Sequence, residues 1–265
     1  MTQYTPKFQE EYSAKLPALT LLTNLGWSFL SPELALAARG GKYDEVVLRQ
    51  VLRSELKKRT FTFAGKSYPL SEKAIDNLIA EVCNPALNEG LLTANERLYN
   101  HLLYGISVTE FIDGKKASPT IALIDWQNPA NNSFVFTEEF TVTRAGGVEN
   151  RRPDIVCFVN GIPLVVIEAK RPDGNAKKGP TIDEGISQSL RTNVMMKFRC
   201  YSPIASYYFQ LTVMKADMAL VVLQPNFGQP GVKKIFLTQK CMLLRTSRSK
   251  TNSLQACLAI AQQKI

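Results

Sequence analysis

Two acidic residues and a lysine form the most chemically suggestive pattern in the chain: Asp154 closes the run Arg151-Arg152-Pro153-Asp154, and Glu168-Ala169-Lys170 follows fourteen residues later. Hydrolysis of a phosphodiester needs a divalent cation to gather anionic oxygens and a nucleophilic water. Magnesium takes carboxylate and carbonyl oxygens for that purpose. Asp154 and Glu168 supply carboxylates, and Ala169 can add its backbone carbonyl. On a strand, Lys170 shares a face with Glu168, where its cation would stabilise an attacking hydroxide or the pentavalent transition state. Pro-Asp and Glu-x-Lys are each common, and a Glu and a Lys two apart on one strand also describe a surface ion pair of little energetic weight. What must decide between these readings is whether the chain brings the two segments together.

The intervening sequence offers a way. DIVCFV and PLVVIEAK are short, almost wholly apolar runs, as in strands buried on both faces, and their charged residues fall at the ends. Asn160-Gly161 between them is a strong two-residue hairpin signal. A simple turn pairs Asp154 with Ile167; one bulge residue puts Asp154 opposite Glu168. Upstream, LPALTLLTNLG reads as a helix ending at Gly26, and residues 43–59, 71–82 (with Ser71 as N-cap) and 93–104 read as three more. ISVTEFI, PTIALIDW and SFVFTEEFTVT read as strands, and IDEGISQSLRT (182–192) as a helix. Helices, then strands, then a helix predict an α/β domain with a mixed sheet flanked by helices. The expected organisation is a helical part over 1–105, a core over 106–192 and a basic, poorly patterned tail over 193–265.

Composition excludes several other chemistries. The five cysteines include no CxxC pair, so neither a zinc ribbon nor a disulfide framework is indicated. The single histidine, His101, lies in the helical segment NERLYNHLLYG and reads as structural. No apolar run reaches the ~18 residues of a membrane span, and MTQYTPKFQEEYSAKL lacks a signal pattern, so cytoplasmic residence is expected. The net charge of +9 is unevenly placed: ten of 32 basic residues follow residue 192, against one of 23 acids, Asp217. A DNA-binding arm would use that charge, although such arms are seldom so apolar. A shifted reading frame explains the composition better. Met195 and Met196 have the single codon ATG, so the frame entered at the third base of the first reads Asp-Glu, and a protein-like Asp-Glu-Ile-Pro-Leu-Leu-Phe-Ala-Tyr-Ser-Gln-Leu-Leu-Leu is permitted from there.

The string RRPDIVCFVNGIPLVVIEAKRP, with EGISQSLR downstream, resembles the PD-(D/E)xK nuclease core at the N-terminus of the restriction (R) subunit of type I restriction-modification enzymes, over about residues 10 to 192. The resemblance implies a restriction-endonuclease-like fold, Mg2+ and double-stranded DNA as substrate. It places the metal-binding acids on Asp154 and Glu168 and the motif lysine on Lys170. It implies a glutamine near the DNA at Gln188, whose usual tyrosine partner four residues on is Thr192 here. Glu11 is the candidate for a further acid on the first helix, and Lys15 stands where the family often has Glu. Arg151, Arg152, Lys177 and Lys178 are the candidate phosphate contacts. In the full-length family enzyme ATP drives translocation, and methyltransferase and specificity subunits are partners. Gly174-Asn175-Ala176-Lys177-Lys178-Gly179-Pro180-Thr181 has Pro180 in place of the phosphate-binding lysine, so ATP binding by this chain is not expected. A stand-alone repair nuclease with the same core, and an inactive, truncated chain that only binds DNA or partner subunits, remain as alternatives.

Overall fold

The computed structural model describes residues 15–84, 91–143, 150–170, 207–214, 217–224 and 231–237. Helix α1 (Leu16–Asn24) carries Pro17 in its first turn, where the missing N–H is harmless. It ends before Gly26, whose φ of 88° other residues seldom adopt, and its Ala18 and Leu22 face the core. Strand β1 (Ser28–Phe29) follows, then α2 (Pro32–Ala38), capped by the Ser31 hydroxyl accepting the Leu34 N–H. Helix α3 (Arg49–Leu56) is shorter than the predicted 43–59. The reason is burial: Val46, Val47 and Leu48 are all fully buried. Three consecutive residues cannot all lie on one face of an amphipathic helix.

Strands β2 (Thr60–Phe63) and β3 (Lys66–Pro69) form a hairpin that the sequence reading passed over, because its turn, Ala64-Gly65, lacks the usual Asn or Asp. Helix α4 (Glu72–Cys83) begins as expected at Ser71, whose hydroxyl accepts the Ala74 N–H. Helix α5 is Leu91–Tyr104. The first 105 residues thus hold strands as well as helices. ISVTEFI divides into β4 (Ile106–Ser107) and β5 (Glu110–Ile112), and β5 turns at Asp113-Gly114 into β6 (Lys115–Ala117). PTIALIDW gives only β7 (Thr120–Ile121), paired with β4. Beyond it Asp125 folds the chain into a loop, its carboxylate accepting the Asn128 N–H and the Asn131 amide, both at 2.8 Å.

Strands β8 (Phe134–Glu138), β9 (Val142–Thr143), β10 (Asn150–Arg151), β11 (Ile155–Val159) and β12 (Ile162–Lys170) complete the region predicted as strands. The main sheet runs β1-β8-β11-β12 and continues through β13 (Tyr207–Met214), β14 (Asp217–Gln224) and β15 (Gly231–Leu237). It is mixed: β1 is parallel to β8 and β12 to β13, while the other pairs are antiparallel. All five residues of β11 are buried. Ile155 and Cys157 meet Ala18 and Leu22 of α1 on one face, whereas Val156 and Phe158 join the larger core with α3, α4 and α5. An all-apolar strand is therefore what a sheet covered on both sides requires. Among the described residues no helix is long and apolar enough to cross a membrane.

Strands β13–β15 lie where composition gave no sustained period. We propose that the charge step at residue 193 reflects a change of reading frame. The coding DNA is then expected to stay open in the frame entered at the third base of codon 195, beginning Asp-Glu. A stop codon within the hidden Asp-Glu-Ile-Pro stretch of that frame overturns the proposal.

Candidate functional site

The site is built on the β11–β12 hairpin. Asn160 (φ 52°) and Gly161 (φ 81°) form the turn, both in the left-handed region. Asn160 is fully buried: its amide donates to the Leu123 carbonyl and to Asn132 Oδ1, and its Oδ1 accepts the Ser133 N–H, each at 2.8 Å. The Gly161 carbonyl accepts the Leu48 N–H at the start of α3. With the turn held from both sides, the hairpin's register has little freedom.

That register is the bulged one of the two expected. Phe158 pairs with Pro163 but Cys157 with Val165, leaving Leu164 as the extra residue, and Ile155 then faces Ile167. The bulge lies beyond Gly161, next to Pro163, which has no N–H to give a regular ladder. The next position in line puts Asp154 against Glu168. A direct bond supports it: Asp154 Oδ2 accepts the Ala169 N–H at 2.7 Å, although the residues are fifteen apart. Lys170 is the last residue of β12, two positions beyond Glu168.

Asp154 itself is half-buried, and its backbone is tied to the neighbouring strand. Its carbonyl accepts the Glu139 N–H (3.0 Å), and that of Pro153 accepts the Phe140 N–H (3.2 Å). Oδ2 is engaged by the Ala169 N–H. An acid fixed through one oxygen, with a second acid at the facing register position, suits a hard cation that binds oxygen. Among the described residues no set of three or more Asp, Glu, His or Cys side chains is gathered as metal ligands.

Arg151 lies on β10 and is exposed; Arg152, also exposed, places Nε 2.6 Å from Glu139 Oε2. Glu11, Lys177, Lys178 and Gln188 lie outside the described residues. His101 sits on α5 with Nε2 3.3 Å from Glu81 Oε1, a structural contact. The sequence reading noted Lys15 only as standing where the family often has Glu, and passed over Glu138 and Glu139. The Lys15 ammonium lies 2.8 Å from Glu138 and 2.5 Å from Glu139. Burial works to lower the Lys15 pKa, but hydrogen bonds to the two glutamates outweigh it and hold the group above its ordinary value. The signal was two successive acids, Glu138-Glu139, ending an apolar strand.

The family described as "Type I restriction enzyme R protein N terminus" matches residues 7–223. The chain belongs to that family. It is 30% identical over 155 residues to the type I restriction enzyme HindI endonuclease subunit of Haemophilus influenzae, a match covering 58% of this chain and 14% of that protein. It is 29% identical over 188 residues to a protein of Methanocaldococcus jannaschii named for the type I restriction enzyme MjaIXP endonuclease subunit, covering 66% of this chain and 16% of the relative. A second protein of that organism, named for the MjaVIIP endonuclease subunit, is 39% identical over 134 residues, half of this chain and 11% of the relative. This R-protein N-terminal chain therefore spans well under a fifth of the length of these relatives.

Proposed function

We propose that this type I R-protein chain carries a Mg2+-dependent endonuclease site in a restriction-endonuclease-like fold, and that it hydrolyses phosphodiester bonds of double-stranded DNA. The observation that carries the reading is the bond from the Ala169 N–H to the Asp154 carboxylate, made across a bulged register that sets Asp154 opposite Glu168. Asp154 and Glu168 would hold the metal, with the Ala169 carbonyl as a further ligand and Glu11 as a candidate fourth. When bound, Mg2+ supplies charge neutralisation at the scissile phosphate and a more acidic water.

Lys170 has the role of stabilising negative charge on the attacking oxygen and on the crowded phosphorus centre. Asp154, held through Oδ2 and through its own carbonyl, brings its second oxygen to the site in a fixed position, so little reorganisation is needed during reaction. Arg151, Arg152, Lys177, Lys178 and Gln188 would hold the DNA through its backbone, without reading sequence. Choice of site would then rest with specificity and methyltransferase subunits, and ATP-driven movement with the full-length family enzyme. Cytoplasmic residence suits all these partners.

Incubating the chain with supercoiled DNA tests this reading. Nicking or linearisation is expected in MgCl2 and none in EDTA. ATP should leave the rate unchanged and should be neither bound nor hydrolysed, since Pro180 replaces the phosphate-binding lysine. Equal cleavage in EDTA would overturn the Mg2+ reading, and failure both to cut and to bind Mg2+ would leave DNA or subunit binding as the function.

A further inference from the structure

Four non-glycine residues among those described have positive φ: Ala64, Asp113, Glu139 and Asn160. Three of them precede a glycine in a two-residue turn, which accounts for their conformation. Glu139 does not; it is followed by Phe140, at the end of β8. Backbone held in an unfavourable region by its surroundings is a mark of sites where position matters. Here the surroundings are specific. The Glu139 N–H donates to the Asp154 carbonyl, and its carboxylate takes Lys15 from the residue before α1 and Arg152 from the segment entering the site.

The charges explain why a carboxylate is needed there. Arg152 is two residues from Asp154 and its side chain is 67% exposed, so it can reorient. Glu139 is the carboxylate that holds it. Lys15 differs, because Glu138 holds it as well. Without Glu139, the freed guanidinium would turn to the nearest remaining acids. Glu138 is already taken by Lys15, which leaves Asp154, two residues along the chain, and, at the facing register position, Glu168. A guanidinium binds carboxylate in the same place and with the same sign of charge as a metal ion, and would compete with it.

Resting on the Mg2+ reading above, we propose that Glu139 is a positioning residue: it holds Arg152 away from the Asp154 end of the hairpin, keeping the site's carboxylates available to the metal. Glu139 also links the start of α1 to the acid through Lys15, so the three elements are fixed together. Its effect on the reaction is indirect, acting through Asp154.

The test is calorimetric titration of the full chain with MgCl2, in the absence of DNA. Glu139→Gln keeps the backbone N–H and the size of the side chain but not the charge, and it should weaken Mg2+ binding about tenfold, the scale of a nearby charge acting on a carboxylate. The loss should shrink as NaCl approaches about 1 M, where the screening length is about 3 Å. Adding Arg152→Gln to Glu139→Gln removes the competitor and should restore affinity to within about twofold of the original. A merely structural role predicts neither the salt dependence nor the rescue. Should Glu139→Gln fail to fold, Glu139→Gly suits the positive φ and serves in its place. An original chain that binds Mg2+ through Asp154, with Glu139→Gln binding equally well, overturns the positioning role alone. Loss of affinity that Arg152→Gln does not restore overturns it too. An original chain that binds no Mg2+, or an Asp154→Asn variant that binds it unchanged, overturns the metal reading, and the positioning role with it.

Discussion

Asp154→Asn and Glu168→Ala are each expected to bring Mg2+-dependent DNA cleavage below detection and to weaken Mg2+ binding by about tenfold or more, while leaving the chain folded. The choice of asparagine at 154 follows from the structure. Alanine there would remove a metal ligand and also strand the Ala169 N–H, on a residue only 1% exposed. An unpaired buried donor costs about 1–3 kcal/mol, so lost activity would be confused with lost stability. Asparagine keeps an oxygen for that N–H and removes only the charge. Taking one acid from a facing pair also relieves repulsion between them, so neither change should unfold the hairpin. Lys170→Ala separates binding from turnover: Mg2+ affinity should stay within about twofold, whereas the rate should fall by about a hundredfold or more, the scale of losing one electrostatic contact to the transition state. Mg2+ affinity unchanged in both acid variants would remove Asp154 and Glu168 from the site.

Much of this arrangement was readable because it is local. Asn160-Gly161 specified a two-residue turn, and the apolar strands either side specified burial on both faces, so the acids had to meet at the open end of the hairpin. The sequence left two registers open, and the choice between them was made by Leu164 and Pro163. A bulge there lets a residue without an N–H sit in the ladder, and no propensity scale registers that. What was not readable depends on contacts between distant segments. Val46, Val47 and Leu48 look like the start of a helix until the core closes over all three. Lys15 is more than 120 residues from its two glutamate partners, and nothing near it in the chain points to them. Glu139 shows the limit most clearly. Its neighbours in sequence suggest one more strand residue, but its backbone turns left-handed so that its N–H can reach Asp154 and its carboxylate can reach Arg152.

Gly161→Ala should be among the most damaging single substitutions away from the charged residues, and comparison with Gly65 shows why. The two glycines have nearly the same conformation, φ 81° and 77°, and each is the second residue of a hairpin turn. Placing an L-residue in that region costs about 1–2 kcal/mol, and Gly65→Ala should lose no more, because nothing lies within 4 Å of the added Cβ. At Gly161 the same Cβ would stand 2.6 Å from the Leu48 carbonyl oxygen and 2.9 Å from the Leu52 nitrogen, both backbone atoms of the α3 region. These cannot swing aside as a side chain would. The hairpin or the helix must shift, and either movement breaks the bond from the Leu48 N–H to the Gly161 carbonyl and disturbs the seat of Asn160. A loss of about 4 kcal/mol or more is expected for Gly161→Ala by urea denaturation, at the upper end of single-residue effects. The functional consequence follows from the register, since a shifted turn moves Asp154 relative to Ala169 and Glu168. Whatever Gly161→Ala protein remains folded should therefore bind Mg2+ more weakly, while Gly65→Ala should bind it normally. Equal stability losses for the two variants would show that the turn does not rest against α3 as tightly as the structure has it.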